Sequence, residues 1–309
     1  MVQVGTVAID STKLEANAAL EANRTHQGLR EEARRILGEA GEIDEREDEL
    51  YGERRGDELP EDLADPSRRA GRIRELLEQA QAREDEVYAR RRAMHERQAE
   101  RLARKGKRPA GRPPGPEPSR EELQILKAKK YNLTDPDSGI VRHRGMLIQG
   151  YNIHTAVGAG QIILAARATG SAADQGQLAG AVEDARANLE RVGVTEPITE
   201  VLADTGYWDV TQVRTLQSDG ARVLVPPPSP VLPTQPQARE MNQLLTEPDS
   251  QSAYGRRKQM VEPVFAHIKH IRGITRVLRR GKHAVQAEID LITTTHNLLK
   301  LYRHTAQVA

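Results

Sequence analysis

Residues 146–169 read MLIQGYNIHTAVGAGQIILAARAT. Two runs rich in Ile, Val, Tyr and Thr, Met146–Val157 and Gln161–Thr169, flank Gly158-Ala159-Gly160, and this pattern predicts a β-hairpin. Downstream, Asp174 with Gln177 resembles a capping box. The helix after it would carry Leu178, Ala181, Val182, Ala185, Leu189 and Val192 on one face. Thr199–Ala203 reads as a short apolar strand ending at Asp204. A short helix with Val210, Val213 and Leu216 follows, then strand Arg222–Val225. Six prolines between 226 and 236 predict a loop. Two helices close the chain, one built on Met260, Val261, Val264, Phe265, Ile268 and Ile271, the other on Val285, Ile289, Ile292, Leu299 and Tyr302. Upstream, Val2–Asp10 is a strand that ends at Asp10-Ser11-Thr12. Strands alternating with helices give an α/β class, and the internal hairpin makes the sheet mixed.

Between the first strand and the hairpin lies a segment of another character. Residues 21–108 hold 23 acidic and 21 basic residues, too many charges for a buried core. The signs separate along it: 41–65 carry 12 acidic and 3 basic residues, whereas 68–112 carry 15 basic and 7 acidic. Helix-favouring Ala, Glu, Arg and Leu dominate to about residue 104, and Pro109, Pro113, Pro114, Pro116 and Pro118 then form a linker. The expected organisation is the first strand at 1–20, a charged helical insertion with its Pro-rich linker at 21–118, and the rest of the core at 119–309.

The composition excludes several classes of function. There are no cysteines among the 309 residues, so disulfides, thiolate zinc sites and a Cys nucleophile are ruled out. No window approaches 18 consecutive apolar residues, and MVQVGTVAID lacks the basic-then-apolar pattern of a signal peptide. A cytoplasmic protein with no membrane contact is the expectation. Neither a P-loop nor a Gly-x-Ser-x-Gly pattern occurs. His267 and His270 have an H-x2-H spacing, but without further ligands they read as polar-face residues and not a zinc site. Lys+Arg 46 against Asp+Glu 45 gives a net charge of +1, which says nothing about partners. The C-terminal stretch 251–309 does, with 11 Lys/Arg against 3 Asp/Glu. Its run Arg272, Arg276, Arg279, Arg280 and Lys282 suits a phosphate backbone.

Asp10 and Asp204 both fall at expected strand ends, the edge at which open α/β sheets bind ligands. If their strands are neighbours, the two carboxylates share a crevice. Glu262 opens a helix beside its apolar stripe and could face the same place. Converging carboxylates need a cation, and oxygen-only ligands suit magnesium or manganese. The ordinary readings stand beside these: strand-end Asp as a turn former, Glu262 as a favourable acid at a helix start, and Trp208 as a core residue that could equally stack on an unpaired base.

The stretches VGTVAIDSTKLEANAAL, YNLTDPDSGIVRHRG followed by IQGYNIHTAV, VLADTGYWD and YGRRKQMVEPVFAHIKHIRG stand in that order. Together they resemble the DDE transposases of bacterial insertion sequences. The resemblance covers nearly the whole chain apart from the charged insertion and the Pro-rich loop. It implies an RNase H-like fold, a mixed sheet flanked by helices, with two bound magnesium ions. Matched motif by motif, Asp10, Asp204 and Glu262 correspond to the three catalytic acids, and Tyr254, Arg257 and Lys269 to residues that hold DNA phosphates. The implied partners are element ends and target DNA, with a homodimer formed when two ends are brought together and no small-molecule substrate. The relatives carry a helical region before the first catalytic strand, so a chain with Asp10 this close to its start is expected to lack it. The activity expected is metal-dependent strand cleavage at element ends followed by strand transfer. The alternatives are a truncated, non-catalytic DNA-binding or inhibitory protein, and a scaffold built on the charged helices.

Overall fold

The protein is described by a computed structural model. It covers residues 4–25, 28–29, 31–32, 66–105, 130–143, 145–228 and 235–308. The acidic run 41–65, the Pro-rich linker 106–118 and part of the 226–236 loop therefore lie outside the described residues. The chain divides into two compact units, residues 1–20 with 137–309, and residues 21–136.

In chain order the strands and helices are β1 (Thr6–Glu15), β2 (Asn23–Arg24), α1 (Pro66–Lys105), β3 (Tyr131–Asn132), β4 (Gly139–His143), β5 (Met146–Val157) and β6 (Ile163–Thr169). They continue as α2 (Leu178–Arg191), β7 (Glu200–Ala203), α3 (Val210–Ser218), β8 (Arg222–Leu224), α4 (Pro236–Thr246), α5 (Pro248–Ala266) and α6 (Lys282–Val308). Residues 21–136 contain the two-stranded sheet of β2 and β3 and the long helix α1. Leu29 and Tyr131 are buried there against Leu77 and Leu133. On α1, Glu86–Arg90 and Arg92–Glu96 form exposed i,i+4 ion pairs.

The other unit is an α/β sandwich. Its sheet runs β4-β5-β1-β7-β8, with β6 also on β5. β1 is antiparallel to β5 and parallel to β7, and β7 is parallel to β8. The strands alternate as period-2 geometry requires. Val7, Ile9, Val201, Ala203 and Val223 face α2 and α3, while Ala8, Leu14, Leu202 and Leu224 face α5 and α6. Burial on both faces explains why these strands read as apolar runs. The outer edge of β5 is shared: β4 pairs with its first residues and β6 with its last. Where the two meet, a Cβ on Gly139 would lie 1.8 Å from the Gly170 carbonyl oxygen, so only glycine fits. The outer edge of β6 is covered by side-chain amides. Asn297 bonds both backbone groups of Ile163, and Gln286 bonds Ala168 N and Ala166 O. Such cover removes an open strand edge from solvent.

The hairpin, α2, β7, α3 and β8 fall where the sequence puts them. Three expectations are corrected and two elements are added. β1 does not stop at Asp10 but runs to Glu15, because Asp10–Glu15 pair in register with Thr155–Gly150. Two further elements, β4 and α4, appear beside the expected ones; α4 begins at Pro236, where a fixed φ suits a first helical turn. Glu262 does not open a helix but lies late within α5, and Pro263 is internal to it. The carbonyl of Gln259, which Pro263 cannot bond, accepts from Gln161 Nε2 at 3.3 Å. Asp174 does not cap α2, whose N-cap is Gln177 with no side-chain cap. No helix among the described residues is long and apolar enough to cross a membrane.

Candidate functional site

Parallel pairing of β1 with β7 sets Ile9 opposite Ala203, so Asp10 and Asp204 are the next residues on adjacent strands. Strands sit about 4.8 Å apart. Asp10 shares its parity with Ala8, so it emerges on the face packed by α5. Its Oδ1 accepts from Ser11 N at 2.8 Å and its Oδ2 from Arg257 Nη1 at 2.8 Å. Burial and the neighbouring Asp204 push the Asp10 carboxyl above its ordinary pKa, against the pull of Arg257 and the Ser11 amide. Asp204 closes β7 and caps a short turn, accepting from Gly206 N at 2.9 Å.

Arg257 comes from the buried face of α5 and is only 8% exposed. Beside its ion pair with Asp10 it sits 5.8 Å from the Tyr254 ring centre. Its Nε is buried without a hydrogen-bond partner. Burial raises the Tyr254 hydroxyl pKa, so that residue is a neutral phenol. Asp10, Asp204, Arg257 and Tyr254 are thus brought together.

Glu262 is not brought to them. It is exposed, and it lies five positions beyond Arg257, about 140° around a helix of 3.6 residues per turn. The face that meets Asp10 carries Arg257, Val261 and Val264 instead. Lys269 lies in the π turn after α5 and donates to Lys13 O at 2.6 Å. Arg272 pins that turn to α6 through Ile292 O and Thr295 Oγ1. Arg276 pairs with Glu15 at 3.1 Å. Trp208 is 9% exposed and packs in the core under α2 and α3, so its ring is not presented to a base. His267 also departs from a plain polar-face residue, since its Nδ1 lies 3.0 Å from His296 Nδ1.

The sequence reading missed a polar network beside the two aspartates. Asp174 Oδ1 accepts from Ser11 Oγ at 2.7 Å and from Asn152 Nδ2 at 2.8 Å. His154, fully buried, places Nδ1 2.8 Å from the Tyr207 hydroxyl and Nε2 3.2 Å from Thr169 Oγ1. Burial lowers the His154 pKa to about 4, so its ring is neutral near pH 7. Gly206 leaves room for the network: a Cβ there would lie 3.0 Å from Asp174 Oδ2 and 3.1 Å from Asp204 Oδ1. The only signal available in sequence was the isolated acid at 174.

Asp10 and Asp204 offer hard oxygen donors, and their mutual repulsion is what a divalent cation relieves. That pair fits such an ion. A third carboxylate does not join it: among the described residues no group of three or more His, Asp or Glu side chains is set to hold a metal.

A family model described as transposase DDE domain matches residues 229–302. The match spans α4, α5, the π turn and most of α6, so it includes Tyr254, Arg257, Glu262 and Lys269 but neither aspartate. No curated protein and no solved structure matches the chain.

Proposed function

We propose, from the match of residues 229–302 to the family model described as transposase DDE domain, that this chain cleaves DNA at the ends of its own element and joins the freed ends to target DNA. The observation that carries the reading is the pairing of Asp10 and Asp204 on adjacent parallel strands, with Arg257 of the matched segment on Asp10. The strand order, three parallel strands with an antiparallel hairpin beyond β1, agrees with an RNase H-like core.

In this reading Asp10 and Asp204 would hold magnesium or manganese, two ions in all, and Glu262, which this structure leaves exposed and away from them, would have to turn toward the pair to become the third ligand. Bound there, the metal supplies Lewis-acid activation of a phosphodiester and of the attacking oxygen. The chain's own groups do the positioning. Arg257 keeps Asp10 in its rotamer through Nη1. The Tyr254 phenol lies beside it as a neutral donor, and Lys269 stands three residues along β1, at the Lys13 carbonyl. A homodimer on DNA and a cytoplasmic setting belong to the same proposal.

The test is nicking of a supercoiled plasmid that carries the element's ends. Magnesium-dependent nicks that leave 3′-hydroxyl ends and vanish with a chelator support the reading. Salt-sensitive DNA binding with no nicking under either metal would replace it with a non-catalytic DNA-binding protein.

A further inference from the structure

The turn between the π segment and α6 is unusual in what it exposes. Residues 272–282 read RGITRVLRRGK, five basic residues and no acidic one. In the middle, Leu278 is 73% exposed, although the backbone beneath it is firmly held. Leu278 N donates to both oxygens of Glu288 at 2.9 Å, and Arg279 N donates to the same carboxylate. Leu278 O accepts from Asn17 Nδ2 at 2.8 Å. Just before it, Thr275 O and Val277 N bond Glu15 of β1, and Val277 is fully buried. The turn is therefore a rigid strap across the end of β1 with one leucine standing out of it. Single exposed leucines are ordinary. One displayed on a clamped turn between arginines is a specific shape.

The nearby acids are already engaged. Glu288 is spent on backbone amides, Glu15 on Arg276, and Asp137 accepts from Lys282 N. Arg279, Arg280 and Lys282 remain exposed, and Arg280 Nε donates to Asn17 O. Cations then succeed one another along β1: Arg257 at Asp10, Lys269 at Lys13, Arg276 at Glu15 and Arg280 at Asn17. From Asp10 to Glu15 is about 17 Å at about 3.4 Å per strand residue. A duplex advances about 3.4 Å along its axis per nucleotide of each strand. The series thus spans about five nucleotides of a duplex whose axis runs along β1, starting at the aspartate pair.

From this geometry we infer that DNA runs from Asp10 and Asp204 along β1 to the 272–282 turn, where Arg279 and Arg280 hold phosphates and Leu278 wedges against a base step. That step lies roughly five to seven nucleotides from the reacting phosphodiester, by the same spacing. Apolar wedges flanked by cations are a known means of unstacking a duplex. The inference rests on the nuclease reading of the aspartates, because they set where the track begins.

The test uses the full chain, a short duplex of the element's end with 2-aminopurine at successive positions, and the variants Leu278→Ala and Arg279→Ala/Arg280→Ala. All three side chains are exposed, so the variants should fold, which circular dichroism checks. Wild type should raise 2-aminopurine fluorescence at one or two adjacent positions. Leu278→Ala should lose that rise while keeping most of its affinity. The double arginine variant should lose affinity and reduce the slope of log K against log salt by about two, close to one per phosphate contact. Fluorescence unchanged by Leu278→Ala would overturn the wedge, and plasmid nicking run in parallel would tell whether the nuclease reading survives it. A wild-type dimer that becomes monomeric on Leu278→Ala in the absence of DNA would also overturn it, assigning the leucine to a second copy of the chain. Absence of both binding and nicking would remove the nuclease reading and the inference together.

Discussion

Replacing Arg257 with methionine should destabilise the sandwich by about 2–4 kcal/mol, an amount set by two facts about its ion pair. The guanidinium is buried, and Asp10, whose side chain is 21% exposed, has Asp204 as its other neighbour. Breaking a fully buried pair costs about 3–5 kcal/mol, because the remaining charge has neither water nor partner. The residual exposure of Asp10 lowers that figure and the repulsion of Asp204 raises it. Asp10→Asn alone should also destabilise, since it strands a buried cation. The double variant, with both charges gone, should recover much of the loss, giving a coupling energy of about 1–3 kcal/mol. Urea unfolding followed by Trp208 fluorescence is the assay, because the single tryptophan is buried in this unit and reports on it alone. A loss of 3 kcal/mol would move the midpoint by about 1 M or more. The cost of Arg257→Met should shrink at low pH, where Asp10 protonates and no longer needs a cation. Strictly additive losses, or a cost below about 1 kcal/mol for Arg257→Met, would refute the idea that Arg257 neutralises Asp10.

Other outcomes follow from the same coordinates. His154 is neutral in the folded protein down to about pH 4 and titrates at its ordinary 6.5 when unfolded. Its contribution is therefore complete above pH 6.5 and is lost as pH falls toward 4, by up to about 3 kcal/mol. Urea midpoints between pH 7 and pH 4.5 should fall less in His154→Gln than in wild type. Gly139→Ala should cost about 2 kcal/mol or more in the same assay, because its Cβ would meet backbone and not a movable side chain. Glu262→Gln should leave stability within about 0.5 kcal/mol, since the side chain is exposed. If Glu262 is the third ligand, the same substitution should abolish nicking, so the two readouts separate its catalytic role from a structural one.

What could be read in advance depended on how local the cause was. The hairpin, α2, α3, β7 and β8 carry their own periodicity, and both burial faces of the sheet impose apolar runs that the sequence displays. The second half of β1 carries no such mark. Ser11, Thr12, Lys13 and Glu15 are polar, and the strand persists there through pairing with residues more than a hundred positions away. Asp10 and Asp204 were identifiable as a pair only on the condition that their strands adjoin, which the parallel register fulfils. The Arg257–Asp10 ion pair spans 247 positions and leaves no trace in spacing. Asp174 followed by Gln177 has the look of a cap, but the donors that claim its carboxylate, Ser11 and Asn152, come from other strands. Glu262, followed by Pro263, reads in the sequence as the opening of a helix. Tertiary packing carries α5 through the proline, with Gln161 answering the Gln259 carbonyl left without its usual donor.

The central claim is that Asp10 and Asp204 form a metal-dependent DNA-cleaving site. Plasmid nicking by wild type and by Asp204→Asn, in magnesium and in manganese, tests it most directly. The account predicts metal-dependent nicks by wild type that the substitution abolishes, with the variant still folded and still binding DNA. Nicking by Asp204→Asn at the wild-type rate would contradict it.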